Sequence, residues 1–484
     1  MKIRVLALIG IAFTFSLVCQ AQKKRNGNKD ESTLTQSQID SLNTFVQIDR
    51  VFVVGNRKTK EHILRREIDI KSGQILTKKL LTEYIEEDKN KLFNTSLFNS
   101  VDATVIDLLN GKVDIIFRVT ERWYFFPIPI FQLADRNFTE WWVNQNHSFK
   151  RVEYGLKLRH FNFRGRNEKL DITAQFGFTK QFGFSYSIPY IDKSQKIGIS
   201  FGFDYSNNKN IAVNTIDHRL QFHGEEQVLR DRYIGSAFLN LRPSFYNFHR
   251  FGVWYSGMHI QDTVAQVNPN YLMDGMTSQK YFAFSYRFRR DLRDYRSYAL
   301  KGHFIQGEIE KYGLGIFNDI DILRLNGEVS KYFDLGKKFY LANSVSFSVS
   351  FPEKQPYRNY SGVGFDGKFL RGYEVYVIEG PHYLINNNSF KREIFSTVFD
   401  IEDILAIRQF NKIPIALYLS VFFDQGYVAN YPNYEMNTRF TDTYLYGTGV
   451  GLDLVTMYDS VLRFEYSFNK AGETGFRLNF HAAF

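Results

Sequence analysis

The sequence predicts an all-β transmembrane barrel of sixteen antiparallel strands, carried behind one small N-terminal α+β domain. Three observations lead there. Beyond residue 124 the chain falls into runs of strict period-two alternation, such as Tyr281-Phe282-Ala283-Phe284-Ser285-Tyr286-Arg287-Phe288 and Leu462-Arg463-Phe464-Glu465-Tyr466-Ser467-Phe468. Aromatic residues make up 17%, with 48 Phe and 30 Tyr; a soluble core needs fewer, whereas barrels place them on the lipid face and in interfacial girdles. The last ten residues set Phe476, Leu478, Phe480, Ala482 and Phe484 on one face of a strand and Arg477, Asn479 and His481 on the other. A soluble sandwich can also end on an alternating strand, so the third observation gains its weight from the first two.

The N-terminus carries an export signature. Lys2 and Arg4 form a basic region, Val5 to Val18 is almost continuously apolar, and Cys19-Gln20-Ala21 offers small residues where a signal peptidase reads. Residues 1–21 are therefore expected to be removed, with Gln22 as the mature start. A lipidated Cys19 is the weaker reading, because Val18 is bulkier than the residue expected before such a cysteine. Cleavage takes away the single cysteine and lowers the formal net charge from +10 to +8. No later apolar run approaches the ~18 residues that a membrane helix needs. The basic residues are scattered along alternating strands rather than gathered in a patch, which argues against nucleic acid and for a basic lumen or rims facing anionic headgroups.

Residues 22–45 are polar and read as a flexible leader. Gln47 to Val54 reads as a strand ending at Gly55-Asn56, and Lys58 to Glu67 as a short helix anchored by Ile63 and Leu64. After Gly73, Thr77 is placed to cap a second helix with Leu80, Leu81, Tyr84, Ile85 and Leu92 at helical spacing. Phe98 to Leu108 and Val113 to Thr120 then form a hairpin across Asn110-Gly111. This β-α-α-β-β order, with Val54-Gly55-Asn56-Arg57-Lys58-Thr59, Gly73 and Leu97-Phe98-Asn99-Ser100-Val101, resembles a POTRA domain over residues 46–122. An unrelated small α+β domain would share the same physics. The resemblance implies that extended polypeptide pairs with a sheet edge. One such domain fits before the barrel at 123–484.

Strands are expected near 124–133, 149–160, 168–178, 181–190, 195–207, 230–245, 250–262 and 279–291. The second half continues with 297–311, 318–333, 337–351, 387–400, 412–424, 441–455, 460–469 and 474–484. An even count keeps both ends on one side of the membrane. The long connections (134–148, 208–229, 263–278, 352–386, 425–440) then all fall at one end and short turns at the other. Within 208–229, Leu220 to His223 reads as part of a loop hairpin above the membrane rather than a further spanning strand.

The longest loop holds Leu370-Arg371-Gly372-Tyr373, and Phe422-Phe423-Asp424-Gln425-Gly426 closes the thirteenth strand. With Asn162-Phe163-Arg164-Gly165-Arg166, Ile188-Pro189-Tyr190, Asp291-Leu292-Arg293-Asp294 before Lys301-Gly302, and Gly447-Thr448-Gly449-Val450-Gly451, the combination resembles the BamA/TamA-like family. These are outer-membrane assembly and translocation barrels, among them two-partner secretion transporters. The proline usual after the eighth strand is missing here. The resemblance implies that the loop folds back into the lumen and that Arg371 meets Asp424 of the Phe422-x-Asp424-x-Gly426 strand. Pinning a loop of about 35 residues loses much entropy, and an arginine fork on a carboxylate is a directional anchor. Deleting either partner would cost roughly 3–5 kcal/mol in dry surroundings and about 1 kcal/mol in wet ones. A solvated Arg-Gly-Tyr turn is the plainer alternative.

Trp123-Tyr124-Phe125-Phe126-Pro127-Ile128-Pro129-Ile130 is unusual for a strand, since Pro127 and Pro129 strip donors from the same edge. Either this segment is a weak seam against the last strand (Phe476, Leu478, Phe480, Phe484), or it is an extended linker with one neighbour. The family resemblance implies a non-enzymatic insertase or translocase of the Gram-negative outer membrane, its POTRA domain in the periplasm. Implied partners are outer-membrane lipid, unfolded or extended polypeptide clients and periplasmic accessory lipoproteins. A passive porin or surface receptor of the same fold is the alternative. Ten histidines are present, yet no nucleophile triad, metal-type cluster or phosphate loop has supporting context. His147, His160, His223 and His303 read as lumen or rim residues, and no catalytic residue, metal or cofactor is expected.

Overall fold

The computed structural model describes residues 44–133, 149, 152–224, 226–364, 368–400, 409–410, 412–432 and 434–481. The export segment 1–21, the leader up to residue 43, the connection 134–148 with His147, and the terminal Phe484 lie outside the described residues. Two compact units divide the chain: one holds the residues through Val54 with Ile68–Lys91 and Val101–Arg118, the other Gly55–Glu67, Leu92–Ser100 and Val119–Phe484.

The N-terminal elements run β1 (Phe45–Val54), α1 (Glu61–Arg65), β2 (Ile75–Thr77), α2 (Lys78–Phe93), β3 (Phe98–Asp107) and β4 (Lys112–Glu121). They form a four-stranded sheet in the order β2-β1-β4-β3, with β1 parallel to β4. The Thr77 hydroxyl accepts the Leu80 N–H at 3.3 Å and starts α2. Two details differ from the sequence reading. Helix α1 is shorter than 58–67, because the backbone N–H groups of Lys58 and Thr59 donate to the Glu121 carboxylate instead of entering a helix. The three-residue β2, unforeseen, pairs antiparallel with Phe45–Gln47.

The second unit is built on a sixteen-stranded antiparallel sheet. Its first half comprises β5 (Phe125–Leu133), β6 (Val152–Phe163), β7 (Glu168–Gly177), β8 (Lys180–Ile188), β9 (Ile197–Asn208), β12 (Arg230–Leu241), β13 (Asn247–Ile260) and β14 (Ser278–Asp291). The second half comprises β15 (Gly302–Tyr312), β16 (Ile322–Gly336), β17 (Phe339–Phe351), β20 (His382–Asp400), β21 (Lys412–Val428), β22 (Leu445–Thr456), β23 (Val461–Asn469) and β24 (Thr474–His481). The expected count of sixteen is what the sheet contains. The ends move by a few residues: the strand expected at 297–311 starts only at Gly302, and that at 387–400 starts earlier, at His382.

The registers alternate two faces. Tyr233, Val253, Phe284, Ile309, Phe347, Val421, Val450 and Phe464 share the exposed face, which is the face lipid covers. The opposite face carries Ser344, Ser346, Ser348 and Ser350 of β17 and Asp424 of β21, and lines the lumen. β10 (Asn210–Ile216) and β11 (Arg219–Gly224) pair only with each other, as a hairpin in the 208–229 connection.

That hairpin is stitched to three other long connections. Asp217 N–H donates to Met436 O, Val377 N–H to His218 O, and Asn268 Nδ2 to Val213 O. Ile211, Val213, Leu229, Met258, Ile260 and Tyr271 bury an apolar cluster with Val264 of α3 (Asp262–Val267). The described parts of the 208–229, 263–278, 352–386 and 425–440 connections thus form one packed cover over that end of the lumen.

Candidate functional site

The connection between β17 and β20 contains β18 (Ser361–Val363) and β19 (Ile378–Gly380), which pair with each other. Between them, Leu370 to Tyr373 lie on the lumen wall formed by β20 to β23. In β21 the residues Phe422, Asp424 and Gly426 are two apart, so all three face the lumen. The structure brings the two motifs together position by position. Leu370 packs over Gly426, where an added Cβ would sit 3.4 Å from its methyl carbon. Arg371 donates to Asp424 twice, from Nη2 to Oδ1 at 2.6 Å and from Nε to Oδ2 at 2.7 Å. Its guanidinium lies 4.0 Å above the Phe422 ring.

The pair is buried and saturated. Asp424 is fully buried and also accepts from Arg371 N, Asn387 Nδ2 and Asn388 N at 3.2, 2.8 and 3.2 Å. Arg371 spends its other donors on Ser389 Oγ, Asn388 O and Glu465 Oε1. Every lone pair and proton that burial would strand has a partner, the condition under which a buried ion pair is tolerated. Tyr373 donates its hydroxyl to Tyr446 O at 3.2 Å and packs edge-on against Phe440. Leu370 and Tyr373 share one apolar cluster with Tyr376, Ile378, Ile385 and Leu445.

Two glycines set the approach distance. Gly372 adopts φ +96°, and Asn469 Nδ2 donates to its carbonyl at 2.8 Å. Gly447 of β22 faces it from the wall, and a Cβ there would fall 1.8 Å from Arg371 O. The sequence reading named the Gly447–Gly451 run as a family feature without its use, which is a flat shelf for the loop backbone. It also missed Asn387, Ser389, Glu465 and Asn469. Only the alternation of β20 and β23 signalled that those polar residues face inward.

The hydrogen-bonded order of the sheet begins at β5 and ends at β24, and among the described residues no ladder joins these two. β5 pairs with β6 without interruption through both prolines, Pro127 opposite Leu158 and Pro129 opposite Leu156. In an antiparallel ladder alternate residues bond to the neighbour, and proline has no N–H to give. The unbroken ladder therefore assigns Phe126, Ile128 and Ile130 to bond β6, in phase with Phe161 N–H donating to Tyr124 O at 2.8 Å. Pro127 and Pro129 turn their nitrogens to the free edge. Their side chains, with Phe476, Leu478 and Phe480 of β24, lie on the exposed outer face. Ile128 faces the lumen, on the same side as Arg477 and Asn479, so it does not share a face with Phe480.

The short-turn end is pinned by a second buried pair. Arg122 Nη1 and Nη2 donate to Asp459 at 2.7 and 3.2 Å, and Tyr295 OH donates to the same carboxylate at 2.6 Å. Burial works to raise the Asp459 pKa, but the hydrogen bond and charge of Arg122 outweigh it and hold the carboxyl below its usual range. Arg242 grips Glu67 in the same bidentate way at 2.6 and 2.7 Å. Residues 55–67 and 92–100 group with the barrel strands in packing, within the 46–122 span expected for the N-terminal domain.

Comparison with known proteins fits this geometry. Residues 162–483 match the Omp85 superfamily domain, and residues 46–122 match the POTRA family described as surface antigen variable number repeat. A search of curated protein sequences found no match. Among solved structures, CdiB from Escherichia coli is similar at a TM-score of 0.53 and 12% identity, over 90% of this chain and 75% of that one. BamA from Haemophilus ducreyi lacking POTRA domains 1–3 is similar at 0.49 and 17%, over 90% and 84%. The CdiB likeness concerns the fold alone. With a domain match across most of its length and a POTRA match before it, the chain belongs to the Omp85 superfamily, as an outer-membrane β-barrel carrying a POTRA domain.

Proposed function

We propose that this protein is a non-enzymatic insertase or translocase of the outer membrane, which receives extended polypeptide clients and passes them through an opening between β5 and β24. The observation that carries the reading is the free edge of β5, where Pro127 and Pro129 remove two successive donors. A seam in lipid has no water to replace missing hydrogen bonds, so a donor-poor edge is where the barrel parts at lowest cost. An arriving client strand gains hydrogen bonds by templating on the exposed edge of β24. Membership of the Omp85 superfamily supports insertion or translocation in general.

In this reading the long-loop cover faces the cell exterior and the POTRA domain the periplasm. β3 is an edge of the small sheet, with Val105 and Ile106 exposed along it, and offers extended backbone a place to pair before delivery. Outer-membrane lipid and periplasmic accessory lipoproteins complete the expected partners, and no cofactor takes part. The loop bearing Arg371 positions the lumen wall beside the seam rather than acting on bonds.

Cysteines at Ile128 and Asn479, both on the lumen face, bridged by a flexible bis-maleimide, test the opening. The locked barrel should keep its heat-modifiable migration yet lose delivery of its clients. Full activity in the locked form overturns the gate. Profiling the outer-membrane proteome after depletion then separates the two forms of the activity. Broad loss of barrels marks a general insertase, and loss of one surface protein marks a dedicated translocator.

A further inference from the structure

A cavity of about 720 Å³ lies in the lumen directly beneath the long-loop cover. Its walls come from the upper ends of β12, β13, β14 and β16, and its roof from the β10–β11 hairpin and residues 357–361. Four arginines line it: Arg230, Arg232, Arg324 and Arg358. Among the described residues the only carboxylate in the lining is Glu379, which is buried and accepts the Tyr431 hydroxyl at 2.6 Å.

Among the described residues none of these guanidiniums forms an ion pair; Glu310 lies opposite Arg324 across the β15–β16 ladder but accepts from Asn326 Nδ2 at 3.0 Å. Arg230 donates to Tyr271 OH and Asn208 Oδ1, and Arg324 to Tyr312 OH and Asn359 O, all neutral acceptors. Among the described residues the Arg232 and Arg358 side chains make no hydrogen bond or ion pair. Arg232 stands within electrostatic reach of both Arg230 and Arg358, and the one carboxylate near it, Asp204, already accepts from Gln181 Nε2 at 3.0 Å. The buried Nε atoms of Arg324 and Arg358 and the Gln279 amide nitrogen have no acceptor. Elsewhere in the same lumen Arg371, Lys368 and Arg287 each have a carboxylate, while Arg250 and Arg289 lie on the faces of Phe238 and Phe248. Four converging guanidiniums with only Glu310, Asp204 and Glu379 near them are unfavourable in a low-dielectric site, and a bound polyanion relieves them.

The rest of the lining narrows the ligand. Trp254, Tyr271, Tyr281, Tyr312, Tyr357 and Tyr360 supply aromatic faces and hydroxyls around the guanidiniums. Arginine forks suit phosphate oxygens bidentately, and flat rings with hydroxyls suit the faces and edges of a sugar. The β10–β11 hairpin and residues 357–361 bound the space on the side of the long connections, which favours a compact ligand over a passing chain. We propose that this cavity is a binding site for a compact phosphorylated saccharide carrying at least two phosphates, as a glycolipid headgroup or a soluble sugar phosphate. The proposal is independent of the route taken by polypeptide clients.

Calorimetry on the purified full chain in detergent at low salt tests it, with a hexose bisphosphate, inorganic phosphate and a hexaglutamate peptide as probes. The bisphosphate should bind at one site per chain, at least about tenfold tighter than phosphate. Arg232→Gln and Arg358→Gln should each weaken it by about tenfold or more, and Arg65→Gln on α1 should leave it unchanged. Arg358 sits in a loop outside the spanning strands, so its variant keeps the barrel, as heat-modifiable migration would verify. Removing one unpaired charge should raise the melting temperature of the free Arg232→Gln protein, and added bisphosphate should raise that of the wild type more than that of the variant. A bisphosphorylated diglucosamine lipid in nanodiscs that competes with the soluble sugar assigns the source to a headgroup; failure to compete assigns it to a soluble ligand. Bisphosphate binding no tighter than phosphate, or insensitive to both variants, overturns the site. Tighter binding of hexaglutamate at the same arginines gives the cavity to acidic polypeptide and overturns the saccharide.

Discussion

Arg371 and Asp424 meet as a fork on a carboxylate, at 2.6 and 2.7 Å, with the Phe422 ring 4.0 Å beneath the guanidinium. Because the pair is buried, removing one partner strands the other. Arg371→Ala should release the loop from the wall at a cost of about 3–5 kcal/mol. Arg371→Lys should rescue little, since an ammonium is a point charge and cannot span both carboxylate oxygens with Ser389 and the Asn388 carbonyl. Hydrogen exchange over residues 368–376 reads the effect. It should speed up by at least about a hundredfold in either variant, and unchanged protection would show that the loop is held by its apolar cluster alone.

Gly447→Ala tests the shelf separately from the charge. The new Cβ would fall 1.8 Å from Arg371 O, a backbone atom that a rotamer change cannot move. The loop should lift, with a destabilisation of about 1–3 kcal/mol and faster exchange over the same segment. Gly235→Ala, in the same barrel with open space around its Cβ, is the silent control. Equal behaviour of the two variants would mean that the loop does not lie on the wall in solution.

The sheet was more legible than the contacts that use it. Alternation fixes which face of a strand is apolar, so sixteen strands and the outward Phe476, Leu478 and Phe480 follow from the residues themselves. The ends of strands do not, because Gly302 and His382 are set by what the adjoining loops pack against. The meeting of Arg371 with Asp424 came only through family resemblance; nothing local to either residue specifies a partner 53 positions away. Gly447, Asn387 and Asn469 were opaque for the same reason. The edge faced by the prolines was half legible: two prolines of one parity must face one side, but only the register with β6 says which.

That register makes the seam testable without crosslinks. A Pro127→Val, Pro129→Val double variant restores two N–H groups to the free edge of β5 while keeping its apolar outer face. Each restored bond should add about 0.5–1.5 kcal/mol to closure. The temperature at which the barrel loses its compact electrophoretic form should rise, and client delivery should slow. A higher melting point with undiminished delivery would separate the edge from function, and no change in either would show that β5 and β24 never pair.

Glu379 gives the long-loop cover a pH dependence. It lies on β19, is 2% exposed, and burial raises its pKa to about 7 against the opposing hydrogen bonds of Thr215 and Tyr431. A raised folded-state pKa means that the folded cover binds the proton more tightly than the unfolded chain. The stability gained is therefore complete below the ordinary glutamate range, near pH 4.5, declines as pH rises, and is gone above about 7. The full span is on the order of 3 kcal/mol. Limited proteolysis of the β18–β19 connection should be slow at pH 5 and markedly faster at pH 8. Glu379→Gln, which keeps an acceptor for Tyr431 and cannot ionise, should be slow at both. Cleavage of the wild type at one rate across that range would show that Glu379 is solvated and that the cover is not closed over it.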